Sequence, residues 1–403
     1  MKRALVLILG AALLVAATAQ STTASKSKPA SKRLLVGIYD EAEILGHPER
    51  AFPALRTLGV RVVRANLYWG GPNGVATRRP SRATDPADSA YDWFKYDRLV
   101  SAAAEDDIKV IFAIVGTPRW ANGGKPTNRA PLRAAYLRDF ARAAATRYSG
   151  FFTPFNPNSA DGTSQLSDAL PTVKHWLAWN EPNNPVFLSP QFIRTKKGVW
   201  LRQAAKNYAR ICNAIVAGIH AAPRLSGEKV ACGVTAPRGN NNPNSGRQSI
   251  SPIPFVRQMK RFGARGFDAY AHHPYYGNRF ETPTTKPNIV KGPRIVGGPV
   301  VLGNINDLIR EVTRLWGRKP FWITEYGYQT KPDRAYAVSY AKQARYLKQA
   351  FAIVRKNPRI DMMLWFLLRD QPQTRAFDGW QGGLVTKGGA RKPAFQAFRQ
   401  VRK

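Results

Sequence analysis

Two glutamates, in separate short apolar segments, carry the clearest signal for chemistry in this sequence. Glu181 lies in the segment Trp-Asn-Glu-Pro-Asn at 179–183, and Glu325 lies in Ile-Thr-Glu-Tyr-Gly at 323–327. Each closes a run with the pattern of a buried strand, where a carboxylate is costly unless it is paired, hydrogen-bonded or used in a reaction. The two positions therefore predict one acid–base site, with a pair of buried structural ion pairs as the alternative.

The elements that must position these glutamates follow a repeated order. Apolar runs alternate with amphipathic stretches of helical period from Leu34 onward. The predicted strands cover residues 34–40, 61–69, 109–115, 173–180, 229–235, 267–273, 320–325 and 360–368. The predicted helices cover residues 48–58, 91–106, 131–148, 199–222, 254–262, 304–316, 335–356 and 393–401. Eight such units predict an α/β fold, a single-domain (β/α)8 TIM barrel. A doubly wound open sheet is the alternative, but no glycine-rich phosphate-binding turn follows the first strand.

In a barrel of this kind, the active site lies at the carboxyl ends of the strands and in the loops that follow them. The residues with useful chemistry fall at these positions, and their agreement in position predicts a binding site there. They are Arg64, Asn66 and Trp69 on the second strand, Trp120 after the third, Asn180 and Glu181 on the fourth, His272, His273 and Tyr275 on the sixth, Glu325 on the seventh and Trp365 on the eighth.

This set of strand ends resembles that of the clan A retaining glycoside hydrolases. The resemblance rests on Asn-Glu-Pro after strand four, Glu after strand seven, Arg on strand two, His-Pro-Tyr on strand six and Trp on strand eight, and it covers nearly all of the chain beyond the leader. The closing segment, with Trp365-Phe366, Arg369-Asp370, Gly383-Leu384-Val385 and Lys392-Pro393-Ala394-Phe395, is most similar to the family 39 and cellulase-like family 5 members.

The resemblance implies a glycosidase acting on O-glycosidic bonds, with β linkages favoured, by double displacement. Glu181 corresponds to the general acid/base and Glu325 to the nucleophile, and a carboxylate gap of roughly 5 to 5.5 Å suits that division of roles. We expect the charge of Glu325 to raise the proton affinity of Glu181, and Arg64 with the Tyr275 hydroxyl to keep Glu325 ionised. Asn180 is expected to bind the sugar 2-hydroxyl.

The remaining substrate-binding predictions concern sugar stacking and orientation. His273 is expected to hold the first sugar or orient Glu325, while His272 should point to the other face of its strand and be buried. Trp69, Trp120 and Trp365 offer flat apolar faces for the sugar rings. No cofactor is implied and no metal site is predicted, because metal-ligand spacings such as His-Glu-x-x-His are absent.

The N-terminus has the pattern of an export signal. Lys2 and Arg3 precede an apolar run from Ala4 to Ala17, and small residues at 17–19 predict cleavage after Ala19. Residues 20–33 are predicted to form a disordered basic linker, and residues 34–403 the catalytic domain. The mature protein is therefore expected to be secreted, monomeric and without a membrane span, with a retained anchor as the alternative.

The two cysteines and the net charge lead to predictions about a disulfide and about binding partners. Cys212 and Cys232 could form one disulfide or remain two buried thiols. The formal charge of +37, which becomes +35 without Lys2 and Arg3, is expected to attract an anionic polysaccharide or cell wall, with a solvated, generally basic surface as the alternative. No nucleic-acid motif is present. The expected partner is a carbohydrate, which the family resemblance implies. The alternatives are a catalytically silent glycan-binding barrel and a polyanion-binding protein whose barrel is incidental.

Overall fold

A computed structural model of the chain describes residues 34–154, 168–288, 290–291, 294–295, 297–372 and 379–401. The predicted export signal at 1–19 and the predicted linker at 20–33 lie outside these residues. Within the described part of the chain, no helix is both long and apolar enough to cross a membrane.

Eight parallel strands close into one barrel, in the order β1-β8-β7-β6-β5-β4-β3-β2. The strands are β1 Leu35–Tyr39, β2 Val62–Tyr68, β3 Lys109–Val115, β4 His175–Ala178, β5 Lys229–Thr235, β6 Ala269–His272, β7 Phe321–Tyr326 and β8 Ile360–Trp365. All eight coincide with predicted strands, and the predicted (β/α)8 barrel is confirmed. β4 ends earlier than predicted because Trp179, with φ at 73°, leaves the extended conformation.

One principal helix follows each strand and packs outside the barrel. These helices are α1 Pro48–Leu58, α2 Phe94–Glu105, α3 Ala134–Arg147, α4 Gln203–His220, α5 Pro252–Arg261, α6 Ile305–Trp316, α7 Tyr340–Arg355 and α8 Pro393–Val401. Shorter helical segments at Glu41–Gly46, Arg119–Asn122 and Leu302–Asn304 lie in the connections. Two small hairpins, Ile193–Arg194 with Trp200–Leu201 and Val290–Lys291 with Arg294–Ile295, follow β4 and β6.

The core has two layers because successive side chains of a strand point to opposite faces. On β2, Val62 packs in the barrel interior with residues such as Leu177 and Met362. Val63 and Trp69, which lie an odd number of positions from Val62, pack instead in the larger layer between the strands and the helices. This alternation decides which residues near a strand end can face a ligand above the barrel.

The two cysteines are joined by a disulfide. Cys212 on α4 and Cys232 on β5 are both fully buried, and their Cα atoms are 5.9 Å apart. The bond closes a loop across a sequence separation of 20 residues and ties one outer helix to the strand that follows it. Of the two alternatives left open by the sequence, the structure therefore has the disulfide.

We expect the double substitution Cys212→Ala and Cys232→Ala to lower the free energy of unfolding by about 3 kcal/mol, the value for closing a loop of this length. Urea unfolding monitored by tryptophan fluorescence measures the change. The wild type unfolded in reductant is the control, since it loses the bond but keeps both sulfur atoms. Equal stability of the oxidised and reduced wild type would contradict a stabilising role for the bond.

Candidate active site

The carboxyl ends of the strands form the floor of one cleft of about 570 Å³. Both motif glutamates face it, together with aromatic and polar side chains from the loops after β1, β2, β4, β5, β6, β7 and β8. The lining residues are Tyr39, Asn66, Tyr68, Asn180, Glu181, Asn184, Val186, Phe187, Arg238, Arg247, Tyr275, Tyr276, Gly277, Glu325, Gly327, Tyr328, Gln329, Tyr336, Phe366, Trp380 and Gly382.

Glu325, on β7, is held at both carboxylate oxygens. Arg64 Nη1 donates to its Oε1 at 2.7 Å, and the Tyr275 hydroxyl donates to its Oε2 at 3.2 Å. Burial raises the pKa of Tyr275 well above its usual value, so its hydroxyl keeps the donated proton. Both partners donate a hydrogen bond, and together they hold the two carboxylate oxygens in place.

Arg64 is fully buried beneath the cleft floor and does not line the cleft. Its Nη2 donates to Asn180 Oδ1 at 2.7 Å and to Asn66 Oδ1 at 3.3 Å, and its guanidinium carbon lies 4.3 Å from the centre of the Tyr39 ring. The arginine therefore positions Glu325 and Asn180, and its contacts with β2, β4 and β7 explain why it is tolerated in the core.

Glu181 follows β4 where the backbone takes unusual conformations. Its φ is 38° and that of Trp179 is 73°, values that residues other than glycine rarely adopt. The Glu181 amide donates to the Val234 carbonyl at 2.9 Å, and Val234 itself has a φ of 44°. Trp179 is anchored by a 2.8 Å hydrogen bond from its Nε1 to the Phe187 carbonyl. Strained backbone of this kind concentrates at functional sites.

The Glu181 side chain is set up to hold a proton near neutral pH. Burial raises its pKa to about 7, while Asn184 Nδ2, which donates to Oε2 at 3.1 Å, opposes the shift. From the sequence, a raised proton affinity is predicted for Glu181, with the charge of Glu325 as its cause. The cause in the structure is removal from water, and nearby Arg64 lowers the pKa rather than raising it.

His273 joins the two glutamates. Burial lowers its pKa to about 3, so the ring is neutral at ordinary pH. Its Nε2 lies 2.9 Å from Thr324 Oγ1, which can donate, and 3.2 Å from Arg64 Nη1, which can only donate. These contacts favour the tautomer in which Nε2 accepts and Nδ1 carries the proton. That Nδ1 lies 3.0 Å from Glu181 Oε1 and 3.6 Å from Glu325 Oε1. His273 therefore orients the glutamates from below the cleft.

The neighbouring histidine has a different role. His272 is fully buried, as predicted, with Nδ1 2.8 Å from Thr235 Oγ1 and Nε2 3.0 Å from the Val300 carbonyl. It connects β5, β6 and the segment before α6, and it makes no contact with either glutamate.

The two carboxylates are close enough to act on one bond. One oxygen of Glu181, one oxygen of Glu325 and one nitrogen of His273 all lie within 4.8 Å of one another. The nearest oxygens of the two carboxylates are thus at most 4.8 Å apart, which is compatible with the roughly 5 to 5.5 Å between the carboxyl groups of glycosidases that attack the sugar directly.

The same three groups would also fit around a divalent cation in distance alone. Their environment argues against such a site, because the Arg64 guanidinium already neutralises Glu325 and occupies the lone pair of His273 Nε2. A cation would be held there against a fixed positive charge.

The three predicted tryptophans lie away from the residues that line the cleft. Trp69 and Trp365 are fully buried in the layer facing the helices, and Trp365 Nε1 donates to the Gly382 carbonyl at 2.9 Å. Trp120 packs edge-on against Trp69 with ring centres 5.8 Å apart, and its Nε1 donates to the Ala76 carbonyl at 3.0 Å. Strand alternation explains the positions of Trp69 and Trp365, since both side chains point outward from the barrel toward the helices.

Other aromatic residues form the cleft walls in their place. Phe366, the neighbour of Trp365, faces inward and packs against Trp380 and Tyr39, with ring centres 5.7 and 5.3 Å away. Asn184 was also missed, although it directly follows the Asn-Glu-Pro-Asn motif. Inward alternation along β2 and β8 identifies Tyr68 and Phe366, whereas no sequence signal identifies the loop residue Trp380.

Comparison with known proteins agrees with this geometry. Residues 300–397 match a family model described as glycosyl hydrolase catalytic core, a segment that contains Glu325 and Phe366. No curated protein matches the sequence.

Solved structures of glycosidases share the fold. The chain is similar to a family 39 glycoside hydrolase from the gut symbiont Bacteroides cellulosilyticus WH2, with 17% identity, a TM-score of 0.60, and coverage of 92% of this chain and 64% of that one. A glucosidase from Croceicoccus marinus gives 16% identity, a TM-score of 0.59 and coverage of 92% and 67%. The family 1 β-glucosidase from Thermotoga maritima gives 13%, 0.54 and coverage of 93% and 98%.

The chain thus spans about two thirds of the family 39 structure and nearly all of the family 1 structure. The C-terminal match and the fold support the predicted glycosidase. The predicted resemblance to the clan A glycoside hydrolases is confirmed, by the catalytic-core match at residues 300–397 and by a barrel that these enzymes share.

Proposed function

We propose that this protein is a retaining glycosidase that cleaves O-glycosidic, β-linked bonds of a poly- or oligosaccharide by double displacement. The observation that carries the proposal is the pair of carboxylates within 4.8 Å across the barrel mouth, in opposite environments. Glu325 receives hydrogen bonds from Arg64 and Tyr275, whereas burial raises the pKa of Glu181 to about 7. One is prepared to attack and the other to donate a proton.

In the first step, a Glu325 oxygen attacks the anomeric carbon and forms an ester with the sugar. The bond to the leaving oxygen breaks, and that oxygen takes the proton of Glu181. Asn180, fixed by Arg64 at 2.7 Å, faces the cleft beside Glu181 and is suited to bind the sugar 2-hydroxyl.

In the second step, ionised Glu181 removes a proton from water, whose oxygen attacks the same carbon and releases Glu325. An alcohol of another sugar can replace the water, so transglycosylation uses the same intermediate. The Glu181 carboxylate is stabilised meanwhile by Asn184 Nδ2 and by the Nδ1–H of His273.

We further propose that the enzyme acts outside the cytoplasm. The predicted leader at 1–19 supports export, and so does the disulfide between Cys212 and Cys232, because such bonds persist in oxidising compartments.

The first prediction from this mechanism concerns stereochemistry. Two successive displacements at one carbon restore its configuration, so we expect the first-formed product to keep the anomeric configuration of the substrate. Proton NMR during hydrolysis of aryl glycosides and β-linked oligosaccharides measures it. Inverted first products would contradict the proposal, and binding without any hydrolysis would favour the glycan-binding alternative.

Two variants separate the roles of the carboxylates in that reaction. Glu325→Ala should abolish turnover, by a factor of about 10⁴ or more, because no nucleophile remains. Glu181→Ala should still release an activated aryl leaving group, which needs no proton, and should slow the second step. Stopped-flow detection of the aryl product distinguishes the two steps. Equal and mild losses in both variants would remove the assigned roles.

The second prediction concerns pH. Because Glu181 must be protonated in the first step and its pKa is about 7, kcat/KM should fall as pH rises through about 7. The Asn184→Ala variant removes a donor that stabilises the carboxylate, so its alkaline limb should move to higher pH. Initial rates between pH 4 and 10 measure the alkaline limb of the wild type and that of Asn184→Ala. An alkaline limb that is the same in both proteins would argue against Glu181 as the group that titrates.

The third prediction concerns the aromatic walls. Phe366→Ala should raise KM about tenfold or more while changing stability little, because the ring faces the cleft and is only partly buried. Trp365→Ala should instead destabilise the fold by about 3 to 5 kcal/mol, because that ring is fully buried. Steady-state kinetics and thermal unfolding on both variants test the contrast, which a reversed pattern would refute.

A further inference from the structure

Two arginines lie at one end of the cleft, and the proposed mechanism uses neither of them. Among the described residues lining the cleft, the charged ones are the two glutamates together with Arg238 and Arg247. Both arginines lie in the segment that connects β5 to α5, and neither contacts Glu181 or Glu325.

Arg247 is exposed, and within the described part of the chain its guanidinium has no hydrogen-bond or ion-pair partner. Its backbone, by contrast, is well fixed. The Arg247 amide donates to Ser245 Oγ at 3.2 Å, and its carbonyl accepts from Asn240 Nδ2 at 2.9 Å. Asn240 also binds Ser245 Oγ at 3.0 Å, so a network of small polar side chains presents the arginine at the cleft.

Arg238 is held in place more closely. Its Nη2 donates to both oxygens of Glu281, at 2.7 and 2.9 Å, and its guanidinium lies directly over Gly277. A Cβ at residue 277 would come within 2.1 Å of the guanidinium carbon, so a larger residue there would displace the Arg238 side chain. Glu281 also accepts from the Gly277 amide at 2.8 Å and from Asn278 Nδ2 at 3.1 Å. Arg238 and Glu281 therefore form an ion pair without net charge, and Arg247 carries the positive charge that is not neutralised by a described residue at this end of the cleft.

The position of the loop relative to the reaction is fixed by Asn183, two residues after Glu181. Its Oδ1 accepts from the Ala236 amide at 2.8 Å, and its Nδ2 donates to the Ile250 carbonyl at 2.8 Å and the Ala236 carbonyl at 3.1 Å. The Ile250 amide donates back to the Asn183 carbonyl at 3.1 Å. Both ends of the loop are thus tied to the strand end that carries the acid/base.

We infer that Arg247 and Arg238 form a subsite for an anionic group, a carboxylate or a sulfate, on the sugar at the leaving-group side of the cleft. Guanidinium groups suit these ligands because their N–H groups match the spacing of the two oxygens. Val186 and Phe187, which follow the Asn-Glu-Pro-Asn motif and line the same cleft, supply apolar contacts for a sugar ring. The placement on the leaving-group side rests on the proposed function, in which Glu181 protonates the departing oxygen.

Binding of matched oligosaccharides tests the subsite. The probes are β-linked oligomannuronate and hyaluronan oligosaccharides before and after reduction of their carboxylates to alcohols, and chondroitin sulfate oligosaccharides before and after desulfation. Calorimetry at low ionic strength should give at least one probe about tenfold tighter binding than its counterpart that lacks the carboxylate or the sulfate in question. Preference within the carboxylate or the sulfate pairs identifies the group, and no preference in any pair overturns the inference.

Variants locate the effect. Arg247→Gln should remove most of the preference for the anionic probe, and Arg247→Lys should keep part of it. Because the Arg247 side chain is exposed and unpaired among the described residues, neither change should alter stability. Arg238→Gln is made together with Glu281→Gln so that no carboxylate loses its partner. Arg355→Gln, on the outer helix α7, removes the same charge elsewhere and should change binding less than twofold. An equal loss in Arg355→Gln and Arg247→Gln would show a general surface effect and overturn the inference.

Hydrolysis of a neutral aryl glycoside, measured on the same preparations, separates the two proposals. Cleavage of that glycoside without any charge preference overturns the subsite alone. A charge preference that depends on Arg247, without cleavage of any glycoside, supports an anion subsite and contradicts the proposed hydrolase.

Discussion

The site depends on one buried interaction, the ion pair between Arg64 and Glu325. A guanidinium without solvent contact is stable only if most of its donors find partners. Both Nη groups of Arg64 are bonded, to Glu325 on β7 and to Asn180 after β4, while its Nε has no hydrogen-bond partner among the described residues. The same contacts hold the Glu325 carboxylate and the Asn180 side chain in place. They also fix His273, since a nitrogen facing Arg64 must accept a hydrogen bond. These groups lie on or after strands that are far apart in the sequence, and closure of the barrel brings them together.

The two glutamates differ through their surroundings rather than through their own chemistry. Glu325 lies above a permanent positive charge, and Glu181 lies in a poorly hydrated position with few donors. His273 contacts Glu181 without adding charge, because burial lowers its pKa to about 3. In the proposed mechanism, one residue type thus supplies both a nucleophile and an acid. The strained backbone at Glu181 and Val234 belongs to the same arrangement, since it turns the acid out of the strand and into the cleft.

Much of the barrel, and the meeting of Glu181 and Glu325 at its rim, could be predicted from the sequence because both depend on local patterns. Eight apolar runs of strand length fixed the topology, and residues at their carboxyl ends necessarily meet at one rim. Prediction failed where side-chain direction mattered. Trp365 and Phe366 are adjacent, and a shift of one residue decides which ring faces the cleft. Arg238 and Arg247 could not be assigned, because their positions depend on contacts of Asn183 and Gly277 that no local pattern encodes. The cysteine spacing likewise left the disulfide open.

The double anchoring of the loop after β5 has an evolutionary consequence. Asn183 fastens the base of that loop beside the acid, while the tip around Arg247 is exposed and supported only by its own short polar side chains. Mutations at the tip can therefore change which polymer is recognised without disturbing the chemistry at the anchored end. Homologues of this protein could therefore change their substrate through a few substitutions at the loop tip, while Glu181, Glu325 and their partners stay the same.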